Sequence, residues 1–279
     1  MPKVVKQRRR IVTKRSAVGV VGRIEAVGSG RKGMKINIYG LGKRGKTRFA
    51  CTFPKHLLLI GTEDGTASLG KMKGVDFIQI TKSSDLDELL PLVAEGKYQS
   101  VVLDTAGGLQ DLILKEILGL EDIPVQKSWG IAKQQDWGTC GSQTKERLRA
   151  LLNLAQTVAA YVVIVAHERD FSKGDESSSD LGVFPTVGSA LTPSVAGWLN
   201  GACDYIGQCF LREEVTKKQS KVGKKTIMTT KKTGKIEYCL RVGPHPVYMT
   251  GFRVDPSVKL PDAISNPSYA KVVAVINGE

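Results

Sequence analysis

Long apolar runs are missing from this chain. Its most hydrophobic stretch, Ala159 to Ala166, is far below bilayer-spanning length. The apolar residues after the basic start, Ala17 to Gly22, are too few and too broken by glycine for a secretory signal. The five cysteines (Cys51, Cys140, Cys203, Cys209, Cys239) include no C-x-x-C pair, which argues against a zinc framework and for reduced, buried thiols. These absences point to a cytoplasmic protein. Acidic residues are nearly missing from two places. Residues 1–35 hold 11 Lys/Arg against Glu25 alone, and residues 212–235 hold nine against Glu213 and Glu214. The formal charge of +14 is therefore carried by two basic attachments on a nearly neutral body, and localised basic blocks of this kind favour a polyanion such as nucleic acid.

What is present is enough for one large domain. A chain of 279 residues with 41% hydrophobic content can bury a sizeable core. Residues 1–34 lack sustained periodicity and read as a basic, flexible arm with at most a short strand near Val18–Ile24. From Lys35 short apolar runs alternate with helical patterns, the signature of a parallel sheet with crossover helices. Expected strands are Ile36–Tyr39, Leu57–Ile60, Asp76–Ile80, Ser100–Asp104 and Tyr161–Ala166. Expected helices are Lys46–Thr52, Asp85–Glu95, Leu109–Leu118, Gln143–Ala160 and one near Pro193–Gly201. Antiparallel strands follow around Tyr205–Leu211, Lys235–Arg241 and Val247–Arg253, with a basic loop over about 212–235. The resulting expectation is an α/β domain over 35–255, mainly parallel with an antiparallel C-terminal extension, and a 256–279 tail with a short helix.

Gly40-Leu41-Gly42-Lys43-Arg44-Gly45-Lys46-Thr47 follows an apolar strand and opens a helix. Glycines at this spacing let backbone N–H groups converge on phosphate oxygens at the positive end of the helix. Lys46 then neutralises the β- and γ-phosphates, and Thr47 offers a hydroxyl oxygen to Mg²⁺. A G-x-G-x-x-G at Gly28–Gly33 precedes the strand and so is no dinucleotide turn, and the overlapping one at Gly40–Gly45 is part of the phosphate loop. A second acidic anchor for the Mg²⁺ shell is expected at the end of a buried strand next to the first, and Asp104 ends Ser100-Val101-Val102-Leu103-Asp104. The competing role for Asp104 is an N-cap of the following helix. A carboxylate at another strand end must orient the attacking water; Glu63 is the expected base, with Asp64 as competitor. His167, at the tip of Tyr161–Ala166, suits a sensor of the γ-phosphate, or else an ordinary buried histidine.

Asp104-Thr105-Ala106-Gly107 also fits the D-x-x-G switch of GTPases, but no N-K-x-D base-selecting strand end accompanies it. Leu41 stands where a partition-type ATPase has a second lysine, and no arginine-rich kinase lid is visible. ATP with Mg²⁺ is therefore the expected ligand pair. The order of P-loop, Glu63, Asp104 and His167 resembles the RecA-type ATPase core. Ile38-Tyr39-Gly40, Leu103-Asp104-Thr105, Gln135-Asp136-Trp137-Gly138 and Ile164-Val165-Ala166-His167 are similar to those of phage-type nucleotide-binding AAA-family ATPases, some of which are single-strand-annealing recombinases.

That resemblance implies a RecA-like P-loop NTPase fold, ATP hydrolysis, homo-oligomers and action on single-stranded DNA in recombination or annealing, in a bacterial or phage-infected cell. It places DNA-facing loops near Glu121–Gly141, with Lys127, Trp129, Lys133 and Trp137, and near Glu168–Gly188. It also implies a trans-acting arginine, for which Arg241 and Arg253 are candidates. The alternative function is an ATP-gated nucleic-acid adaptor or replication loader; a GTPase is the weaker reading.

Overall fold

The structure, a computed structural model, describes residues 33–63, 70–120, 132–157, 160–171, 186–222 and 225–279, the side chains of 216–231 excepted. Almost all of the expected arm, 1–34, lies outside the described residues. The chain order is β1 (Met34–Gly40), α1 (Lys46–Ala50), β2 (Leu57–Gly61), β3 (Val75–Gln79), α2 (Ser83–Ala94), β4 (Ser100–Asp104), α3 (Ala106–Leu118), α4 (Gln134–Thr157) and β5 (Tyr161–Asp170). Then come β6 (Val187–Ser189), α5 (Pro193–Ala202), β7 (Tyr205–Val222), β8 (Lys225–Arg241), β9 (Gly251–Phe252), β10 (Ala263–Ser265) and α6 (Tyr269–Asn277).

One sheet runs β10-β8-β7-β1-β5-β4-β2-β3, with β6 against β5 and β9 against β7. Its half from β7 to β3 is parallel, and β8, β9 and β10 extend it antiparallel. The alternation of runs foretold the parallel sheet with its crossover helices, and the architecture is the RecA-like one that the resemblance implied. The central strands are apolar on both sides because both faces are covered. Tyr39, Val101, Leu103, Val162, Ile164 and Ala166 pack toward α2, α3, α4 and α5. Ile36, Ile38, Val102, Val163 and Val165 pack toward α1, β10 and α6. All five cysteines are free and buried, as their scattering predicts.

Register brings the working ends together. Gly40 lies opposite His167, while Asp104 lies opposite Val165 on one side and Gly61 on the other. The C-terminal tips of β1, β5, β4 and β2 therefore form one edge, where open α/β sheets bind ligands.

Four expectations are corrected. The Asp104 strand, β4, is not next to β1; β5 lies between them, a matter of strand order that no local pattern encodes. Helix α4 begins at Gln134 rather than Gln143, because Asp136 Oδ2 accepts from the Lys133 N–H (2.8 Å) at its first turn. Gly141 is not a break, since α5 passes close by, with Ser194 Oγ 3.6 Å from where a Cβ would stand. The basic segment 212–235 is not a loop, since β7 and β8 continue as a two-stranded ribbon to Val222 and Lys225, interrupted by an irregularity between Glu213 and Val215. Finally, Val247–Arg253 yields only the two-residue β9 and a bridge between Val187 and Tyr248. The Val247 and Tyr248 amides instead donate to His245 Nδ1.

Candidate nucleotide site

Between β1 and α1 the loop folds as a nest for an anion. Lys43 (φ 59°) and Gly45 (φ 77°) take left-handed conformations that turn successive N–H groups inward. Gly40 admits no side chain, because a Cβ there would stand 2.3 Å from the Cys209 carbonyl oxygen on β7. The Lys46 ammonium folds back to donate to the Gly40 and Leu41 carbonyls, each at 2.8 Å. Burial lowers its pKa. A buried ammonium whose hydrogen bonds go to neutral carbonyls is poised for a stronger anionic partner.

Thr47, on the first turn of α1, reaches past β5 and donates to Asp104 Oδ2 at 2.5 Å. Burial pushes the Asp104 carboxyl above its usual range, opposed by the Thr47 hydrogen bond and by Lys46. Asp104 is not the cap of α3. That role falls to Thr105, whose hydroxyl oxygen accepts from the Gly108 N–H at 3.0 Å. The cap leaves Asp104 free to face Thr47. A buried carboxylate beside a hydroxyl is an oxygen-only set suited to a hard divalent cation such as Mg²⁺. Among the described residues no cluster of three or more His, Cys, Asp or Glu side chains forms a metal cage. Magnesium would thus be shared between Thr47, Asp104 and phosphate oxygens, as P-loop chemistry requires.

Glu63, two residues beyond β2, completes the group. Its Oε1 accepts from Thr105 Oγ1 at 2.8 Å, and its Oε2 lies 3.4 Å from His167 Nε2. The interaction with His167, and then that with Thr105, hold the Glu63 carboxyl below its ordinary pKa despite partial burial. Glu63 is half-exposed and ionised at neutral pH, able to accept a hydrogen bond from water. Thr62 locks the turn: its hydroxyl accepts from the Thr105 N–H (2.9 Å) and donates to the Thr105 carbonyl (3.1 Å). Asp64, the competitor of Glu63, lies outside the described residues.

Lys46, Thr47, Glu63, Asp104 and His167 therefore meet at one edge. The two arginines do not join them. Arg253 is paired with Asp204 (2.9 Å) and the Gly201 carbonyl (3.0 Å). Arg241 donates to Gln208 Oε1 (3.0 Å), lies over the rings of Phe210 and Tyr248, and connects through Gln208 Nε2 to Glu168 Oε2 (2.8 Å). Of the expected DNA-facing residues, Trp137 sits on α4, partly buried against the core, and Lys133 precedes that helix. Lys127 and Trp129 lie outside the described residues. The segment near Glu168–Gly188 begins and ends in the antiparallel pair β5–β6. Sequence reasoning missed Thr105, although a threonine immediately before an apolar helix is a cap signal. It also missed Gln208, for which no local signal exists.

Sheet order, phosphate loop and strand-end acids define a P-loop nucleoside triphosphatase domain of RecA-like topology. The chain belongs to the AAA domain family, which it matches over residues 32–236. No curated protein matches it. Among solved structures it is similar to the flagellar accessory protein FlaH from Methanocaldococcus jannaschii, at 11% identity over 86% of this chain and 88% of that one, with a TM-score of 0.38. That likeness is too distant to bear on function. No described helix is long and apolar enough to cross a membrane.

Proposed function

We propose that this protein binds and hydrolyses ATP with Mg²⁺ and uses the cycle to act on single-stranded DNA, as an oligomer, in recombination or annealing. The observation that carries the hydrolytic part is the convergence of Glu63 with the Lys46–Thr47–Asp104 group, through Thr105 and His167. In this reading the loop amides and Lys46 hold the triphosphate, and Thr47 and Asp104 would hold the metal, which would supply charge neutralisation at the phosphates. Glu63 orients and deprotonates the attacking water, and His167 steadies Glu63 while facing the departing phosphate. The preference for ATP rests on the lack of an N-K-x-D strand end.

The polymer partner is supported by charge. Seven lysines and no acid lie between residues 216 and 232, where β7 and β8 run on as a ribbon, and phosphate neutralisation by lysine dominates nucleic-acid affinity. One observation favours the second reading, an adaptor or loader on duplex DNA: a two-stranded ribbon has the dimensions of a major-groove reader. Phosphate release measured without polymer and with single-stranded DNA, duplex DNA or RNA separates these. Stimulation greatest with single-stranded DNA is expected; duplex stimulation would shift the assignment to the loader, and indifference to every polymer would refute both.

A further inference from the structure

The aromatic ring of Tyr238 lies directly on the phosphate loop. A Cβ placed on Gly45 would stand 2.8 Å from Tyr238 Cδ1 and 3.3 Å from Cε1, so the ring covers the glycine that caps α1. Yet the ring is not core. Tyr238 is 42% exposed, and its hydroxyl makes no hydrogen bond among the described residues. Side chains alternate along β8, so Leu240, Tyr238 and Ile236 share one face. Leu240 is fully buried in the layer that holds α1, whereas Ile236 is 65% exposed. The apolar stripe thus leaves the core beside the P-loop and continues into solvent. Leu41, in the loop itself, is also exposed.

Direction decides what belongs there. Asp104, Glu63 and His167 come from β4, β2 and β5, all on one side of β1. They fix the side on which the γ-phosphate reacts. β7 and β8 stand on the opposite side of β1, where the rest of a nucleotide must emerge once its terminal phosphate faces the acids. We infer that Tyr238, with Ile236 beside it, is the platform on which the base of the bound nucleoside triphosphate stacks. This rests on the reading that such a nucleotide occupies the P-loop. A flat aromatic face and an aliphatic side chain offer dispersion and π contact to any base but no hydrogen-bond pattern. The platform therefore strengthens binding of nucleotides over bare phosphates without selecting strongly among bases.

The experiment compares affinities for ATP and for inorganic tripolyphosphate in the wild type, Tyr238→Ala, Tyr238→Phe and Lys46→Ala. Tyr238→Ala is expected to weaken ATP by about tenfold or more, leaving tripolyphosphate unchanged, and Tyr238→Phe is expected to retain ATP affinity. Equal loss of both ligands in Tyr238→Ala would show that the ring only props the loop, and undiminished ATP affinity would remove it from the site; either overturns the platform. Failure of the underlying reading looks different: the wild type would bind neither ligand, or Lys46→Ala would bind both normally.

Discussion

Thr47, at the start of the helix that follows β1, and Asp104, at the end of β4, meet at 2.5 Å although β5 lies between those two strands. The contact joins the phosphate loop to the strand-end acids and partly offsets the electrostatic cost that burial imposes on Asp104 before any cation arrives. Burial favours the neutral carboxyl of Asp104, so its folded-state pKa lies above the unfolded value. The folded state then holds a proton more tightly than the unfolded chain, so stability falls as pH rises from the unfolded pKa through the folded one.

Asp104→Asn is accordingly expected to raise the melting temperature of the nucleotide-free protein at neutral pH. The gap from wild type should close on acidification toward about pH 4, the unfolded carboxyl value. The same variant should lose the dependence of nucleotide affinity on Mg²⁺. Thermal melts across pH, with and without Mg²⁺ and nucleotide, check both effects.

Thr105 has two duties, capping α3 and donating to Glu63. Thr105→Ala should cost about 1 kcal/mol of stability from the lost cap. It should also raise the Glu63 pKa, because a hydrogen bond that favours the charged form disappears. The acid limb of the pH–rate profile should move to higher pH, and Thr105→Ser should restore it. A profile that keeps its acid limb in Thr105→Ala would detach Thr105 from the chemistry.

Lys46→Ala removes the ammonium that folds onto the Gly40 and Leu41 carbonyls. Nucleotide affinity should fall by about a hundredfold, the scale of a lost charge-assisted contact with phosphate. Calorimetric titration with ATP measures this. Because Gly40 and Leu41 sit at the loop, the fold should persist, which circular dichroism would register.

Lys217, Lys218 and Lys221 lie along β7 in the ribbon. Replacing all three with Gln should flatten the slope of log affinity against log salt for single-stranded DNA by about two. An unchanged slope would remove the ribbon from the DNA contact.

The parts of this fold that were legible in sequence are those written locally. Apolar runs at Ser100–Asp104 and Leu57–Ile60 gave strands with nearly correct bounds, and the Gly40–Thr47 spacing located the phosphate loop. Strand order was not legible, since Asp104 looks the same whether its strand borders β1 or lies one place further. The ribbon was unreadable for a physical reason: beyond Val215 the sequence carries no apolar alternation to mark a strand, and its lysines and threonines read as a loop. Gln208, Thr105 and Tyr238 gain their places only through tertiary partners, from Arg241 and Glu168 to Glu63 and Gly45.

The central claim is that Glu63 activates the water in a site otherwise built for binding, and single-turnover phosphate release by Glu63→Gln tests it most directly. The amide keeps the size of the side chain and an oxygen to accept from Thr105 but cannot take a proton. ATP binding should be retained while release slows by about a hundredfold or more, the scale of lost general-base catalysis. Release at the wild-type rate from a variant that binds ATP normally would contradict the account.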